Sequence, residues 1–291
     1  MAKGYALCIG LNRVSTVHYD GWDGALQVCE KDARDMKNIA VKMGFSADLL
    51  LTKDATAMNV LDKIDQAAAK LKAGDIFLLY YSGHGGNEIP DINKDEVEEQ
   101  ADEVDGFDES WCLYDQQVID DILYQRWFKF KAGVRILVLS DSCFSGDIVK
   151  LVRGRRVSQK LDTKIVKRMP IIVGHRVYQK NEKSYLKFNK AQTPLRKSKT
   201  KALSQAAIKA TLRQISSSSE YQPSYANTNE FPNNSLFTAI FKKTFKNGKY
   251  KGNYNQFVKK LKQEMPYDQQ PNHQILGAAM VKFDNQTPLT I

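Results

Sequence analysis

The sequence predicts an α/β fold with a mostly parallel central sheet and helices on both faces. Three observations carry that expectation. Residues 75–81 and 134–139 are apolar runs of the kind found in strands buried on both sides. Strand-like and helix-like segments alternate before and between them, as in a sheet built from crossover units. Both runs end abruptly in small and polar residues, Ser82-Gly83-His84-Gly85-Gly86 and Ser140-Asp141-Ser142-Cys143-Phe144-Ser145-Gly146. The carboxyl edge of an open α/β sheet is where ligands bind.

Taken in order, residues 5–11 read as a first buried strand, with Cys8 a small buried hydrophobe. Residues 13–24 read as loop. From 25 to 43, Leu26, Val28, Ala33, Met36, Ile39, Ala40 and Met43 fall near helical spacing, and Gly44 stops the helix. Residues 47–52 form a short strand and 56–71 a second helix. The turn Lys72-Ala73-Gly74-Asp75 leads into the strand that delivers His84. Pro90, Asn93 and Gly106 mark an acidic loop over about 88–119, followed by a helix at 120–130 and the strand that delivers Cys143. Residues 147–205 read as a basic insertion, with an edge strand at 165–174 interrupted by Pro170. Then come a core strand at 210–217, helices at 235–245 and 253–265, and a last strand at 274–279. No repeat or interdomain linker stands out, so residues 1–291 are expected to form a single domain.

Composition narrows the class. With 42% hydrophobic and 26% charged residues, the 291-residue chain can bury a substantial core. No apolar run approaches the ~18 residues that cross a bilayer. The amino terminus lacks the layout of a signal peptide. Cys8, Cys29, Cys112 and Cys143 form no CxxC pair or disulfide framework, which fits a reducing, cytoplasmic setting. The net charge of +10 is segregated: residues 88–121 hold 14 acidic residues and one basic, a net of −13, and 150–213 hold 19 basic and two acidic, a net of +17. A basic block is the footprint of nucleic acid or an anionic surface, but a solvated loop carries the same composition.

If the two long strands are neighbours, Cys143 and His84 stand side by side at one edge, and a thiol beside an imidazole is the minimum equipment of a cysteine hydrolase. The glycines around His84 let a bound chain approach the backbone closely.

Tyr80-Tyr81-Ser82-Gly83-His84-Gly85-Gly86 and Asp141-Ser142-Cys143-Phe144-Ser145-Gly146 resemble the two signature motifs of the metacaspases, within the caspase-like peptidases. The separation, 143 − 84 = 59 residues, is close to the roughly 50 typical of caspases. Leu26-Gln27-Val28-Cys29-Glu30-Lys31-Asp32 and Asp102-Glu103-Val104-Asp105-Gly106-Phe107-Asp108-Glu109 extend the resemblance, as do residues 216–230 and 235–245. It covers most of the chain and is weakest over 147–205.

The resemblance implies a caspase-like three-layer sandwich and a cysteine endopeptidase. Cys143 would be the nucleophile and His84 the base and then acid, with no third triad member required. The N–H groups of Gly85 and Cys143 would form the oxyanion hole. The residue before the cut would be Arg or Lys, held by Asp141 and Asp32 with Ser82 assisting, since a carboxylate pair clamps a guanidinium or neutralises an ammonium. Calcium is implied as an activator, not as part of the chemistry, through Asp102, Asp105, Asp120 and Asp121. Lys150 stands near where a further aspartate belongs, with Asp147 the neighbour to replace it. An Arg/Lys-directed protease with an accessible basic loop is expected to cut itself, at Arg153, Arg155, Arg156 or Lys160. The expected partners are protein or peptide substrates with Arg or Lys at the cleavage site, acted on by a monomer, with no membrane and no nucleic acid. The competing expectation is a catalytically weak or inactive caspase-fold scaffold or a basic nucleic-acid-binding protein.

Overall fold

The computed structural model describes residues 1–90, 107–143, 165–193, 208–219 and 222–291. The chain runs β1 (Gly4–Gly10), α1 (Cys29–Lys42), β2 (Ser46–Leu51), α2 (Ala57–Lys70) and β3 (Ile76–Ser82), the predicted alternation. It continues through β4 (Gly85–Pro90), β5 (Phe107–Cys112), β6 (Gln117–Ile119), α3 (Asp120–Trp127) and β7 (Arg135–Asp141). After α4 (Ile171–Gln192) come β8 (Thr211–Ser216), α5 (Leu236–Phe245), α6 (Tyr254–Glu264), β9 (Asn272–Gly277) and α7 (Val281–Asn285).

The main sheet has the order β2-β1-β3-β7-β8-β9. Every pair in it is parallel except β8–β9. Successive side chains of a strand point to opposite faces, and the core divides accordingly. Leu7, Ile9, Phe77, Leu79, Tyr81, Ile136 and Val138 pack with α2 and α3. Ala6, Cys8, Ile76, Leu78, Tyr80, Leu137 and Leu139 pack with α1, α5 and α6. The result is three layers, with β3 and β7 adjacent at the centre and their carboxyl ends level, Ser82 paired to Asp141.

Local chemistry sets the helix starts. α1 begins at Cys29, four residues later than its apolar spacing predicts, because Asn12 at the end of β1 accepts the Glu30 N–H at 3.1 Å and pins the start there. α2 is capped by the Thr56 side chain, and α6 opens on a capping box between Asn253 and Gln256.

Two expectations differ from the structure. The segment read as an acidic loop over 88–119 carries strands: β4, β5 and β6 make a separate three-stranded antiparallel sheet. Its acidic composition masked a strand whose polar residue turns inward, where Ser110 Oγ lies 3.1 Å from the Gly86 carbonyl and 2.9 Å from the Gln117 side-chain amide. Neighbouring Trp111 stacks on Tyr81 at 4.4 Å. The edge strand expected at 165–174 is replaced by isolated bridges at Val166 and Arg168 and then by the long helix α4, so the basic insertion at 147–205 has a helix in its middle. Pro170, expected to interrupt a strand, is the extended residue that precedes α4, and its fixed φ suits that place. No helix among the described residues is long and apolar enough to cross a membrane.

Candidate functional site

The site lies where β3 and β7 end. Past β3 the chain turns through Gly83-His84-Gly85, and past β7 it reaches Cys143 two residues after Asp141. Contact between the two loops is tight: a Cβ placed on Gly85 would stand 1.8 Å from the Cys143 carbonyl oxygen, so this position admits only glycine. His84 is buried, with Trp22 packed on its ring at 4.8 Å. Its Nε2–H donates to the Gly24 carbonyl at 3.1 Å, a bond that sets the proton on Nε2 and leaves Nδ1 as the basic nitrogen. Burial pulls the imidazole down to about 4, against the raising influence of the Gly24 and Arg168 backbone. Burial pushes the Cys143 thiol up to about 12, although the Ser224 backbone works the other way. The Ser224 N–H reaches Cys143 Sγ at 2.7 Å, and the thiol faces the Ser224 carbonyl at 3.5 Å. Both members of the pair are therefore neutral in this state.

Beside the pair, Asp32, Ser82 and Asp141 surround one ammonium, that of Lys167. Lys167 Nζ lies 2.8 Å from Asp141 Oδ1, 2.9 Å from Ser82 Oγ, 2.8 Å from the Asp141 carbonyl and 4.0 Å from Asp32 Oδ2. All four side chains are buried. Burial opposes the ammonium charge, but the Asp141 and Asp32 carboxylates outweigh it and hold the Lys167 pKa above its ordinary value. Burial lifts the Asp32 carboxyl above the usual carboxylate range, with Lys167 opposing.

The main chain of the same lysine occupies the place expected to hold an oxyanion. Its carbonyl accepts the Gly85 N–H at 3.1 Å and the Cys143 N–H at 3.2 Å. Its own N–H donates to the Ser224 carbonyl at 2.9 Å.

Of the residues singled out in the sequence, the structure thus brings together Cys143, His84, Gly85, Asp32, Ser82 and Asp141. Asp120 and Asp121 open α3, where the Asp121 N–H bonds Asp120 Oδ1. Asp102 and Asp105, like Arg153, Arg155, Arg156 and Lys160, lie outside the described residues. Among the described residues no three His, Cys, Asp or Glu side chains gather where a metal could sit.

Sequence reasoning missed several participants. Asn234 Nδ2, Ser235 N–H and Ser235 Oγ all donate to Asp32, at 2.8, 3.1 and 2.5 Å. Thr238 Oγ1 donates to Asp141 Oδ2 at 2.6 Å, and Ser224 Oγ to Asp141 Oδ1 at 3.2 Å. These residues arrive from the start of α5 and the loop before it. In the sequence they lie within residues 216–230 and 235–245 or next to them, stretches that carry the family resemblance but mark no single side chain as a partner of Asp32 or Asp141.

Residues 3–281 match the family model described as the caspase domain. The chain is 30% identical over 163 residues to Metacaspase-8 of Arabidopsis thaliana, covering 53% of this chain and 39% of that protein. It is also 30% identical over 164 residues to Metacaspase-1 of Schizosaccharomyces pombe, covering 51% and 35%. The matched region therefore spans well under half the length of these curated relatives. The crystal structure of a protein from Geobacter sulfurreducens is similar at 41% identity and TM-score 0.82, covering 99% of this chain and 98% of that one. Caspase-1 from Spodoptera frugiperda shares the fold alone, at TM-score 0.51 and 10% identity over 95% and 89% of the two chains. A match over nearly the whole length, on a sheet that sets a cysteine loop against a histidine loop, means that the chain belongs to the caspase-domain family.

Proposed function

We propose that the protein is a cysteine endopeptidase that cuts peptide chains after Lys or Arg. One observation carries the reading: a lysyl residue lies with its ammonium between Asp141, Ser82 and Asp32 while its carbonyl accepts the Gly85 and Cys143 amides. A pocket of two carboxylates sealed from water selects a cation and rejects an acidic side chain, whose like charge costs several kcal/mol. The same pose puts the carbonyl carbon next to the nucleophile's own residue and its oxygen on two donors that stabilise the charge of a tetrahedral intermediate.

His84 takes the thiol proton, the Cys143 thiolate attacks the carbonyl carbon, and the oxygen charge develops on the Gly85 and Cys143 amides. The imidazolium then protonates the leaving amine, and water hydrolyses the thioester with His84 again as base. Among the described residues the Gly24 carbonyl, not a third side chain, orients the imidazole.

Fluorogenic peptides ending in Arg, Lys or Asp test this. Arg and Lys peptides are expected to turn over at least about 10³-fold faster than Asp peptides, with activity lost in Cys143→Ala. Equal rates on all three peptides would remove the specificity. Undiminished turnover by Cys143→Ala would remove the mechanism.

A further inference from the structure

The groups that aim the His84 ring sit on a loop that other elements hold in place. Gly24 supplies the carbonyl that accepts the His84 Nε2–H, and Trp22, two residues earlier, packs on the imidazole at 4.8 Å. Both belong to the 13–24 loop, so the ring is aimed only as well as that loop is fixed. On one side the loop is tied to the turn after β5. There the Ser15 N–H donates to the Tyr114 carbonyl at 2.8 Å, and the Tyr19 hydroxyl to the Leu113 carbonyl at 2.8 Å.

On the other side it is gripped by α4. Lys180 Nζ donates to the Val17 carbonyl at 3.2 Å, and Asn181 Nδ2 to the His18 carbonyl at 3.1 Å. Arg176 and Lys180 each stand 3.5 Å from a different carboxylate oxygen of Asp20. The Trp22 N–H donates to the Tyr19 carbonyl at 3.0 Å, so a shift at residues 17–20 is passed through a tight turn to Trp22 and Gly24.

Tyr185 of α4 joins this grip to the second sheet. Its hydroxyl bonds His18 Nε2 at 2.8 Å and accepts the Gln117 N–H, at the start of β6, at 3.3 Å. β6 pairs with β5, and β5 ends at Cys112, whose N–H donates to the His84 carbonyl at 2.9 Å. One oxygen therefore links the loop that aims the imidazole to the strands that hold the main chain of the same histidine. Tyr185 is 1% exposed, and a buried hydroxyl keeps its place only where partners meet it.

We propose that Tyr185 is a positioning residue for the reaction, through which α4 acts on His84 by fixing the loop that aims its ring. This rests on the cysteine endopeptidase reading and adds to it the part that holds the base. The α4 side chains at this joint bring no group to the substrate. Their contribution is the angle at which the imidazole meets Cys143, so a 22-residue helix in the basic stretch carries a share of kcat.

Tyr185→Phe keeps the buried ring and its edge contact with His18 and removes only the hydroxyl. On Arg peptides kcat is expected to fall about tenfold with KM within about twofold of the wild type, and the preference for Arg over Asp peptides to remain. A misplaced base costs rate and leaves the side-chain pocket as it was. Heteronuclear NMR of isotope-labelled histidines reads the cause. Wild-type His84 is expected as a single Nε2–H tautomer, and Tyr185→Phe as a mixture of the two. Tyr178→Phe, which takes a hydroxyl from the same helix outside the joint, is expected to match the wild type in both measurements.

Should Tyr185→Phe fold poorly, Asp20→Asn tests the joint from the surface. Asp20 has φ 53°, a left-handed backbone that asparagine accepts, so the loop keeps its path while the charge facing Arg176 and Lys180 is removed. Here kcat is expected to fall about two- to threefold at constant KM, because exposed ion pairs are weak.

A Tyr185→Phe enzyme with a lowered Tm but unchanged kcat and tautomer makes Tyr185 a structural residue and overturns the proposal. A loss confined to KM overturns it as well, since α4 would then act on substrate binding. If the wild type turns over no Arg or Lys peptide, the peptidase reading falls, and the tautomer comparison still decides the joint by whether the mixture forms.

Discussion

The two carboxylates facing Lys167 look alike in sequence and are built differently. Asp141 touches the ammonium directly at 2.8 Å, with one further donor on each oxygen, Ser224 Oγ and Thr238 Oγ1. Asp32 stands 4.0 Å from the ammonium, and its oxygens are taken up by Ser82, Asn234 and Ser235. One carboxylate spends its charge on the guest. The other spends it on tying α1 to the start of α5, and adds negative potential at a distance. The difference teaches that pocket charge and pocket architecture are separable here, and the two residues should fail differently when changed.

The largest effect is expected at Asp141. Asp141→Asn leaves a buried ammonium without its contacting anion, a loss of about 3–5 kcal/mol, or about 10²–10³-fold or more in kcat/KM for Lys and Arg peptides. Rates on the two peptides measured side by side check it. If Asp141→Asn and Asp32→Asn lose activity equally, the division of labour is wrong.

Close behind comes Gly85→Ala, which tests the catalytic half of the site against the pocket half. The added carbon would need the space of the Cys143 carbonyl oxygen, 1.8 Å away. The two amides then part, and kcat is expected to fall about 10²–10³-fold, the usual cost of a lost oxyanion donor. Arg-over-Asp preference should remain, because the carboxylates are untouched; a lost preference would mean that pocket and oxyanion site are one unit.

Asp32→Asn should cost less, about tenfold, since a charge 4.0 Å off in a partly polar pocket contributes a Coulomb energy of a few kcal/mol at most and Asn keeps part of the hydrogen bonding. Its signature is in pH. Burial raises the Asp32 carboxyl above the usual carboxylate range, so it becomes neutral at a higher pH than an ordinary Asp and the pocket then loses one of its two negative charges. The wild-type kcat/KM for Arg peptides is therefore expected to drop with falling pH earlier than an ordinary Asp would make it, and Asp32→Asn to flatten that limb. An unchanged limb in the variant would assign it to another group.

The same contrast separates what was legible in the sequence from what was not. Cys143, His84 and Gly85 sit in short local motifs at the ends of apolar strands, and a parallel sheet brings such ends to one edge, so their meeting follows from β3 and β7 alone. Asp32 and Asp141 came through family resemblance; nothing in their local spacing distinguishes a pocket from a helix first turn and a strand end. The residues that hold them, Ser224, Asn234, Ser235 and Thr238, lie 83 to 203 positions from their partners, a separation no local pattern reports. Lys167 was hidden by its surroundings: it is one of 19 basic residues between 150 and 213, and the pairing of its backbone with Ser224 and Gly85 is what distinguishes it. The strands in the acidic segment and the helix in the basic one were missed for a related reason. Charge composition describes the solvent face of an element and says little about the face that packs.

The smallest expected effect lies at Thr238, and it sharpens the comparison most finely. Thr238 Oγ1 donates to Asp141 at 2.6 Å and bonds the Tyr80 hydroxyl at 2.5 Å, so it orients the contacting carboxylate from behind. Thr238→Val keeps the shape and removes the donor, a loss of about 1 kcal/mol or about fivefold. Because the bond steers a group that holds the substrate in the ground and transition states alike, the change should fall on KM and leave kcat nearly as it was. A fall in kcat at constant KM would mean that Asp141 acts on the reacting carbonyl as well as on the side chain, and the line drawn between pocket and catalytic pair would have to move.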